Sequence, residues 1–359
     1  MIQFGDCYRG RRVLITGHTG FKGSWLALWL EQLGATVAGI SLDPETQPSH
    51  FDLLDMSIDD HRLDIRKADE IKDLVEIFRP NIVFHLAAQP LVRRSYRNPL
   101  GSWSTNVMGT ANVLEACRNV DGVGAIVAIT TDKVYKNHEW PWGYRENDRL
   151  GGHDPYSASK AACELLIDSY RKSYFADSSA PLTASARAGN VIGGGDWSED
   201  RLIPDLVRSV DKNIPLVIRS PNATRPWQHV LECLAGYLLL GQRLLEGQRE
   251  YAEAWNFGPG SDSNRTVSEV LKLMQAHWPQ LKWEQTNTPK THEANLLYLD
   301  HSKAKDRLSW KPVWSLDRAL QATVDWYRQC QEHGAVMSGK QLAEYIDDAL
   351  TAGASWVQV

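Results

Sequence analysis

Apolar residues in this chain come in short β-branched runs separated by longer stretches with helical spacing. Arg12-Val13-Leu14-Ile15-Thr16 predicts a first buried strand, Ala35 to Leu42 a second, and a third ends near Leu63-Asp64-Ile65. Asn81 to Pro90 and Ile126 to Thr130 predict two more, and Leu182 to Ala188 a sixth. Between them, Ser24 to Leu33, Ala68 to Phe78, Pro99 to Cys117 and a stretch from Pro155 towards Tyr174 predict helices. Gly34 and Arg79-Pro80 stop the first two, and Asp154 caps the last, with Pro155 in its first turn. Strand–helix alternation from residue 12 to 188 predicts an α/β fold with a Rossmann-type doubly wound parallel sheet.

Beyond residue 188 the texture changes. Gly189 to Trp197 predicts a loop, Arg201-Leu202-Ile203-Pro204 opens a helix, and Pro215 to Arg219 is a short strand. Asn222 to Val230 leads into a helix reaching Leu245, and Lys340 to Ala352 reads as a terminal helix. The expected division is residues 1–188 for a dinucleotide and 189–359 for a smaller mixed α/β domain that mainly binds substrate.

The first strand feeds Gly17-His18-Thr19-Gly20-Phe21-Lys22-Gly23, and a helix follows. Glycines at 17, 20 and 23 permit a tight turn, close approach to a pyrophosphate and close helix-to-sheet packing. Free amides and the positive end of the helix then bind the anion. An acid at the end of the second strand would hold the adenosine ribose diol, and Asp43 lies twenty residues after Gly23. Asp43 equally suits the start of a turn before Pro44. With no basic residue between Ser41 and Pro48 to meet a 2′-phosphate, NAD is favoured over NADP. Asp64 stands where it could meet the adenine amino group, and small residues after His85 let a dinucleotide lie against the backbone. His85 itself reads as a core histidine.

At the carboxyl end of the Ile126–Thr130 strand come Thr131, Asp132 and Lys133, a hydroxyl, an acid and an ammonium where parallel sheets bind ligands. Tyr156 and Lys160, four apart, share one helical face. A phenol titrates near pH 10 and becomes a useful base only when a cation stabilises its anion, which Lys160 is expected to do. Arg93 and Arg94 lie just past a strand end, while Arg201, Arg219 and Arg225 are candidates for a bidentate phosphate clamp.

Charge narrows the partners. A net charge of −5 and a pI near 6.1 argue against nucleic acid or a membrane surface as partner. No apolar run reaches spanning length, and the polar start Met1-Ile2-Gln3-Phe4-Gly5-Asp6 predicts no signal peptide. Five scattered cysteines without metal-ligand spacing suit a reducing cytoplasm and no metal site. Fourteen tryptophans are unusual, and packing is the expected role for several of them.

Together these residues resemble the extended short-chain dehydrogenase/reductase family, whose members act on nucleotide sugars. The likeness runs from about residue 10 to 330 and also takes in Leu86-Ala87-Ala88, Asn106-Val107-Met108-Gly109-Thr110 and Leu308-Ser309-Trp310-Lys311-Pro312. In Thr131-Asp132-Lys133-Val134-Tyr135 an acid directly follows the hydroxyl residue, as in the sugar-nucleotide 4,6-dehydratases. Lysine stands where glutamate is usual there. With Lys136 to Trp140, Gly193 to Trp197 and Arg225 to Val230, this resembles the branch that dehydrates CDP-glucose. The family's ribose acid aligns with Ser41 better than with Asp43.

The resemblance implies a regenerated NAD held by Gly17, Thr19, Gly20, Phe21, Lys22, Gly23, Asp43, Asp64, Ile65, Ala87, Ala88, Gln89, Tyr156 and Lys160. It implies a nucleotide-sugar site built from Arg94, Asn190, Arg201, Leu202, Arg219, Arg225 and Tyr298. Tyr156, helped by Thr131 and Lys160, would take the C4 hydroxyl proton; Lys133, as neutral amine, would take the C5 proton; Asp132 would protonate the leaving C6 hydroxyl. The product would feed deoxysugar synthesis for cell-surface polysaccharide, and the protein is expected to be a cytoplasmic homo-oligomer, dimer or tetramer. A 4-epimerase would share Tyr156, Lys160 and the glycine loop without needing Asp132 beside Lys133. A noncatalytic NAD-sensing module is the third reading, against which intact Thr131, Tyr156 and Lys160 speak.

Overall fold

Strands that are apolar along their whole length must be covered on both faces, and this governs the architecture. The computed structural model describes residues 1–218, 220–286 and 296–359. Its central sheet is built from β1 (Arg12–Thr16), β2 (Thr36–Ser41), β3 (Asp59–Arg62), β4 (Ile82–His85), β5 (Ala125–Ile129), β6 (Leu182–Ala188) and β7 (Ala254–Phe257). The spatial order is β7-β6-β5-β4-β1-β2-β3, all parallel, with Val13 opposite Ile82 and Arg12 opposite Thr36. From β1 the chain moves outward to β2 and β3, then returns to place β4 on the other side of β1. That reversal opens a crevice at the strands' carboxyl ends.

One face of the sheet is covered by α1 (Phe21–Gln32), α5 (Val230–Leu245), α6 (Leu316–His333) and α7 (Ser338–Thr351). The opposite face carries α2 (Ala68–Phe78), the helix Gly109–Arg118 and α3 (Pro155–Ser173). Helix α5 reads Val-Leu-Glu-Cys-Leu-Ala-Gly-Tyr-Leu-Leu-Leu, apolar around most of its circumference, so it is buried rather than half-exposed. Trp25, Trp29, Trp255, Trp310 and Trp326 are fully buried, which bears out the packing role expected of the tryptophans.

Three features depart from the pattern-based reading. The stretch 99–118 is not one regular helix: Pro99–Trp103 passes through a π-helical turn, Ser104–Met108, into Gly109–Arg118. At this turn Asn106 is buried, its Oδ1 accepting from Gln89 N (2.8 Å) and its Nδ2 donating to Ser159 Oγ (2.8 Å). Polar satisfaction of that kind accounts for a wider turn near a site. A short helix, Val92–Arg97, carries Arg93 and Arg94. The sheet also has a seventh strand, β7, drawn from beyond residue 188 and paired with β6 at Ala254–Ser185. Its four residues carry too little pattern to stand out by themselves.

The remaining C-terminal strands are short pairs. Leu216–Ile218 runs beside Trp283–Gln285, Thr224–Pro226 beside Asn264–Thr266, and Val191–Ile192 beside Gln228–His229. These pieces, with α4 (Leu202–Lys212), rise beside the carboxyl ends of the sheet and wall the crevice.

Candidate active site

The crevice is a single cavity of about 2810 Å³. That is several times the roughly 300–1,000 Å³ of a one-ligand site, so it has room for two nucleotides. At its floor the β1–α1 loop makes the approach the glycines suggested. Gly17 has φ +82°, and a Cβ there would stand 2.7 Å from Ala87 N. A Cβ on Gly23 would lie 2.1 Å from Gly17 O, so helix and loop touch backbone to backbone. Gly20 occupies the N-cap with no side-chain cap, leaving the first amides of α1 turned to the cavity. These features fit a pyrophosphate, and Thr19, Phe21, Lys22, Ala87, Ala88 and Gln89 line the same space. Burial lowers the Lys22 ammonium from its usual range, and Arg201 adds to the effect.

At the far end of β2, Ser41 Oγ and Thr19 Oγ1 are 2.6 Å apart, and both residues line the cavity. Asp43 also lines it, with a side chain 89 % exposed. The basic residue missing from the window after Ser41 arrives instead from β3. Arg62 donates to Leu42 O (3.2 Å), approaches Asp43 at 3.8 Å and is engaged by Asp60 at 2.6 Å. Asp64 and Ile65 line the cavity too, and Arg66 grips the Asp64 carboxylate, holding it below the usual range. His85 is a core residue as expected, between Thr16 Oγ1 (2.7 Å) and Thr110 Oγ1 (2.9 Å).

After β5 the chain makes a single 3₁₀ turn, Asp132–Val134, with Thr131 as its cap. Thr131 Oγ1 donates to Asp132 Oδ1 at 2.9 Å. Asp132 is 1 % exposed and sits behind the cavity wall, whereas Thr131 and Lys133 line it; Lys133 Nζ is 3.7 Å from Asp132 Oδ1. Asp132 Oδ2 is buried without a hydrogen-bond partner, a cost of about 1–3 kcal/mol that a purely structural carboxylate would avoid.

Asp154 caps α3 as expected, accepting from Ser157 N at 2.9 Å, and this presents Tyr156 in the first turn. Burial pushes the Tyr156 phenol up to about 12, while a hydrogen bond with Thr131 and the charge of Arg201 pull the other way. Lys160 Nζ donates to Ile129 O at 3.0 Å, and burial lowers its ammonium. The charge of Arg201 thus favours the phenolate alongside the Thr131 hydrogen bond.

From the C-terminal half, Asn190, Arg201, Leu202 and Arg225 line the cavity. Arg94 lines it as well, but its guanidinium is held by Glu45 (2.7 Å) and Glu199 (3.0 Å), acids that compete with any substrate anion. Tyr298 stands outside the lining, because its hydroxyl donates to Pro141 O (2.6 Å) and ties two peripheral segments together. Arg219 lies outside the described residues.

Two acidic residues escaped the pattern-based reading. Glu164, one turn beyond Lys160, forms a buried pair with Arg187 (2.8 Å) and accepts from Ser185 Oγ (2.7 Å) and Thr130 Oγ1. The i, i+4 step from Lys160 was the available signal. Asp196 binds Arg201 at 2.9 Å, a pairing across a loop that no periodicity announces.

The chain matches the family model described as GDP-mannose 4,6 dehydratase over residues 14–323. It is 45% identical over 348 residues to the CDP-glucose 4,6-dehydratase of Salmonella typhimurium, spanning 94% of this chain and 97% of that one. Among solved structures it is similar to the dTDP-glucose 4,6-dehydratase of Streptomyces venezuelae, determined with NAD bound. That likeness has a TM-score of 0.75 and 25% identity, and covers 90% of this chain and 98% of the other. An epimerase from Methanothermobacter thermautotrophicus superposes with a TM-score of 0.82 at 25% identity, over 92% and 95% of the two chains. With the family model spanning most of its length and a dehydratase 45% identical over 94% of it, the chain belongs to the GDP-mannose 4,6 dehydratase family of the extended short-chain dehydrogenases/reductases.

Proposed function

We propose that this protein is an NAD-dependent hydro-lyase that converts CDP-glucose to CDP-4-keto-6-deoxyglucose. The observation that carries the reading is the buried Asp132 with an unpartnered oxygen, set between Thr131 and Lys133, in a chain 45% identical to a CDP-glucose 4,6-dehydratase. NAD, when bound, accepts a hydride from the sugar and returns it, so it is regenerated at each turnover. Gly17, Gly20 and Gly23 with Thr19, Phe21 and Lys22 would hold its pyrophosphate, Ser41 or Asp43 its ribose, Asp64 and Ile65 its adenine, and Ala87, Ala88 and Gln89 its inner half.

Tyr156 takes the proton of the C4 hydroxyl, with Thr131 hydrogen-bonded to the phenol and Lys160 fixed beside the end of β5. The ketone so formed at C4 acidifies the C5 hydrogen, which Lys133 removes as the neutral amine. Asp132 delivers a proton to the C6 hydroxyl, which leaves as water. Asn190, Arg201, Leu202 and Arg225 would hold the nucleotide sugar, with residues 189–359 mainly on the substrate side and 1–188 mainly on the cofactor side.

Leu100, Trp103, Met108 and Leu165 are exposed on the adjoining helical stretches 99–118 and 155–173, an apolar face suited to a homo-oligomer, dimer or tetramer. Cys7, Cys117, Cys163, Cys233 and Cys330 are all free thiols, which suits a reducing cytoplasm. The test is incubation with NAD and CDP-, dTDP-, UDP- and GDP-glucose in turn. A 6-deoxy-4-keto product formed fastest from CDP-glucose supports the reading, a galacto-configured product would make the protein an epimerase, and faster turnover of dTDP-glucose would change the substrate.

A further inference from the structure

The two oxygens of Asp132 have different surroundings. Thr131 Oγ1 donates to Oδ1 at 2.9 Å, and Lys133 Nζ stands 3.7 Å from the same atom, so both neighbours serve one oxygen. Oδ2 is buried without a hydrogen-bond partner. Against it lies Gly189, the first residue past β6, which lines the cavity where Asp132 does not. A Cβ at Gly189 would stand 3.1 Å from Asp132 Oδ2 and 2.8 Å from Pro226 Cγ. Gly189 lies outside the left-handed region, so its backbone does not call for glycine; the space beside it does. Nor is the backbone free to draw back. Ala188 is paired with Phe257 in the sheet, and Asn190 O accepts from Gln228 N at 3.2 Å, so the residues on either side are tied to different strands.

We propose that Gly189 is the aperture through which the sugar's C6 hydroxyl reaches Asp132 Oδ2, a positioning residue that also limits the group at C6 to the size of a hydroxyl. The proposal rests on Asp132 as the acid of the reaction above. A hydroxyl oxygen must come within about 2.5–3.0 Å of the carboxyl oxygen to share its proton. A methyl group at 3.1 Å would occupy that approach from the cavity side. Pro226, buried on the C-terminal side, closes the opening against any easy sideways shift. In the step itself Lys133 takes the C5 proton and the C6–O bond breaks with its electron pair going to oxygen. The proton of Asp132 completes the water that leaves, and the new C5=C6 double bond stays on the sugar.

A leaving group that needs no proton separates access to the acid from plain crowding of the sugar. CDP-6-deoxy-6-fluoroglucose loses fluoride with the bonding pair and leaves the proton on Asp132. The experiment measures turnover of CDP-glucose and of this analogue by the NAD-loaded enzyme, fluoride release by fluorine NMR, and CDP-glucose affinity by calorimetry. The proteins are the natural chain, Gly189→Ala, Gly189→Ala combined with Pro226→Ala, and Asp132→Asn. Gly189→Ala should slow CDP-glucose by about a hundredfold or more, the scale of lost acid catalysis, while affinity stays close to natural and absorbance at 340 nm builds up in a single turnover. The fluoro analogue should still turn over near its natural rate. Adding Pro226→Ala removes the contact at 2.8 Å but keeps the methyl beside Asp132, so CDP-glucose should stay slow. Recovery on adding Pro226→Ala, or an equal loss with both substrates, overturns the proposal. Should Gly189→Ala fail to fold, the natural protein decides with CDP-6-O-methylglucose. C4 should then be oxidised without loss of methanol, and methanol released as fast as water overturns the aperture. A fully active Asp132→Asn removes the acid, a natural enzyme inert towards CDP-glucose removes the reaction, and either takes the proposal with it.

Discussion

Two carboxylates lie behind the carboxyl end of β5, and the fold treats them in opposite ways. Glu164 and Asp132 have side chains only 3 % and 1 % exposed. Glu164 has every need met, by Arg187, Ser185 and Thr130, and these partners hold it below the usual carboxylate range despite burial. Asp132 has one oxygen bonded by Thr131 and the other without a hydrogen-bond partner. Burial therefore does not separate a structural acid from a chemical one. The supply of partners distinguishes these two, because an open carboxylate oxygen in the interior is costly to the fold and remains available to a ligand. Glu232 is an intermediate case: Trp314 N, Val313 N and Tyr345 Oη donate to it, but no cation is among these partners.

The sharpest way to break the comparison is at the cavity itself. Tyr156→Phe and Asp132→Asn should each cut turnover by about a hundredfold or more, the usual scale of acid–base catalysis. Only Asp132→Asn should let C4 oxidation proceed, so that bound NADH accumulates in a single turnover read at 340 nm. If Asp132→Asn turns over normally, its open oxygen has no chemical role. Its unfolding midpoint in urea should meanwhile stay close to that of the natural protein.

Glu164→Leu should do the reverse, costing roughly 3–5 kcal/mol of stability by leaving Arg187 buried and unpaired. Urea titration followed by far-ultraviolet circular dichroism measures it. A loss under about 1 kcal/mol would mean that Arg187 finds another partner, and the contrast with Asp132 would weaken.

Glu232 tests the intermediate case through pH. Burial raises its carboxyl from 4.5 to about 7, so the folded state holds its proton more tightly than the unfolded chain does. Its contribution to stability is greatest below pH 4.5 and is lost as pH rises towards 7, a span of about 3 kcal/mol. Glu232→Gln should remove that part of the dependence, visible as a flatter profile of unfolding free energy between pH 5 and 7.

The smallest effect belongs to the ribose end. Asp43 is too exposed for a strong contact, so Asp43→Ala should weaken NAD about tenfold or less, the worth of one hydrogen bond. Calorimetric titration with NAD and NADP, repeated on Ser41→Ala, would show which residue meets the ribose and whether Arg62 tolerates a 2′-phosphate.

Much of this was legible along the chain. The β-branched run before Thr131 and the loop Gly17 to Gly23 are local statements about backbone freedom and burial, and they survive folding nearly unchanged. The helix Ala68–Phe78 and the strand Leu182–Ala188 came out with the predicted limits. Strand β7 did not register because four residues carry too little pattern, and its place beside β6 depends on a contact across some seventy positions. The π-turn at Ser104–Met108 was hidden for a related reason, since Asn106 finds Gln89 and Ser159 only once three elements have met.

The sequence by itself determined the α/β alternation, the glycine loop and the residues at the strand end and on the helix, because each depends on spacing within one element. Only the tertiary structure decided which charges meet. It gave Lys160 to a backbone carbonyl, set Arg201 against Asp196 in the cavity of Tyr156, and drew Tyr298 away to Pro141. It also brought Arg62 of β3 to Leu42, in the window after Ser41 that has no cation of its own. Coulomb interactions and hydrogen bonds act over a few ångströms in space, and no periodicity along the chain records which side chains folding brings that close.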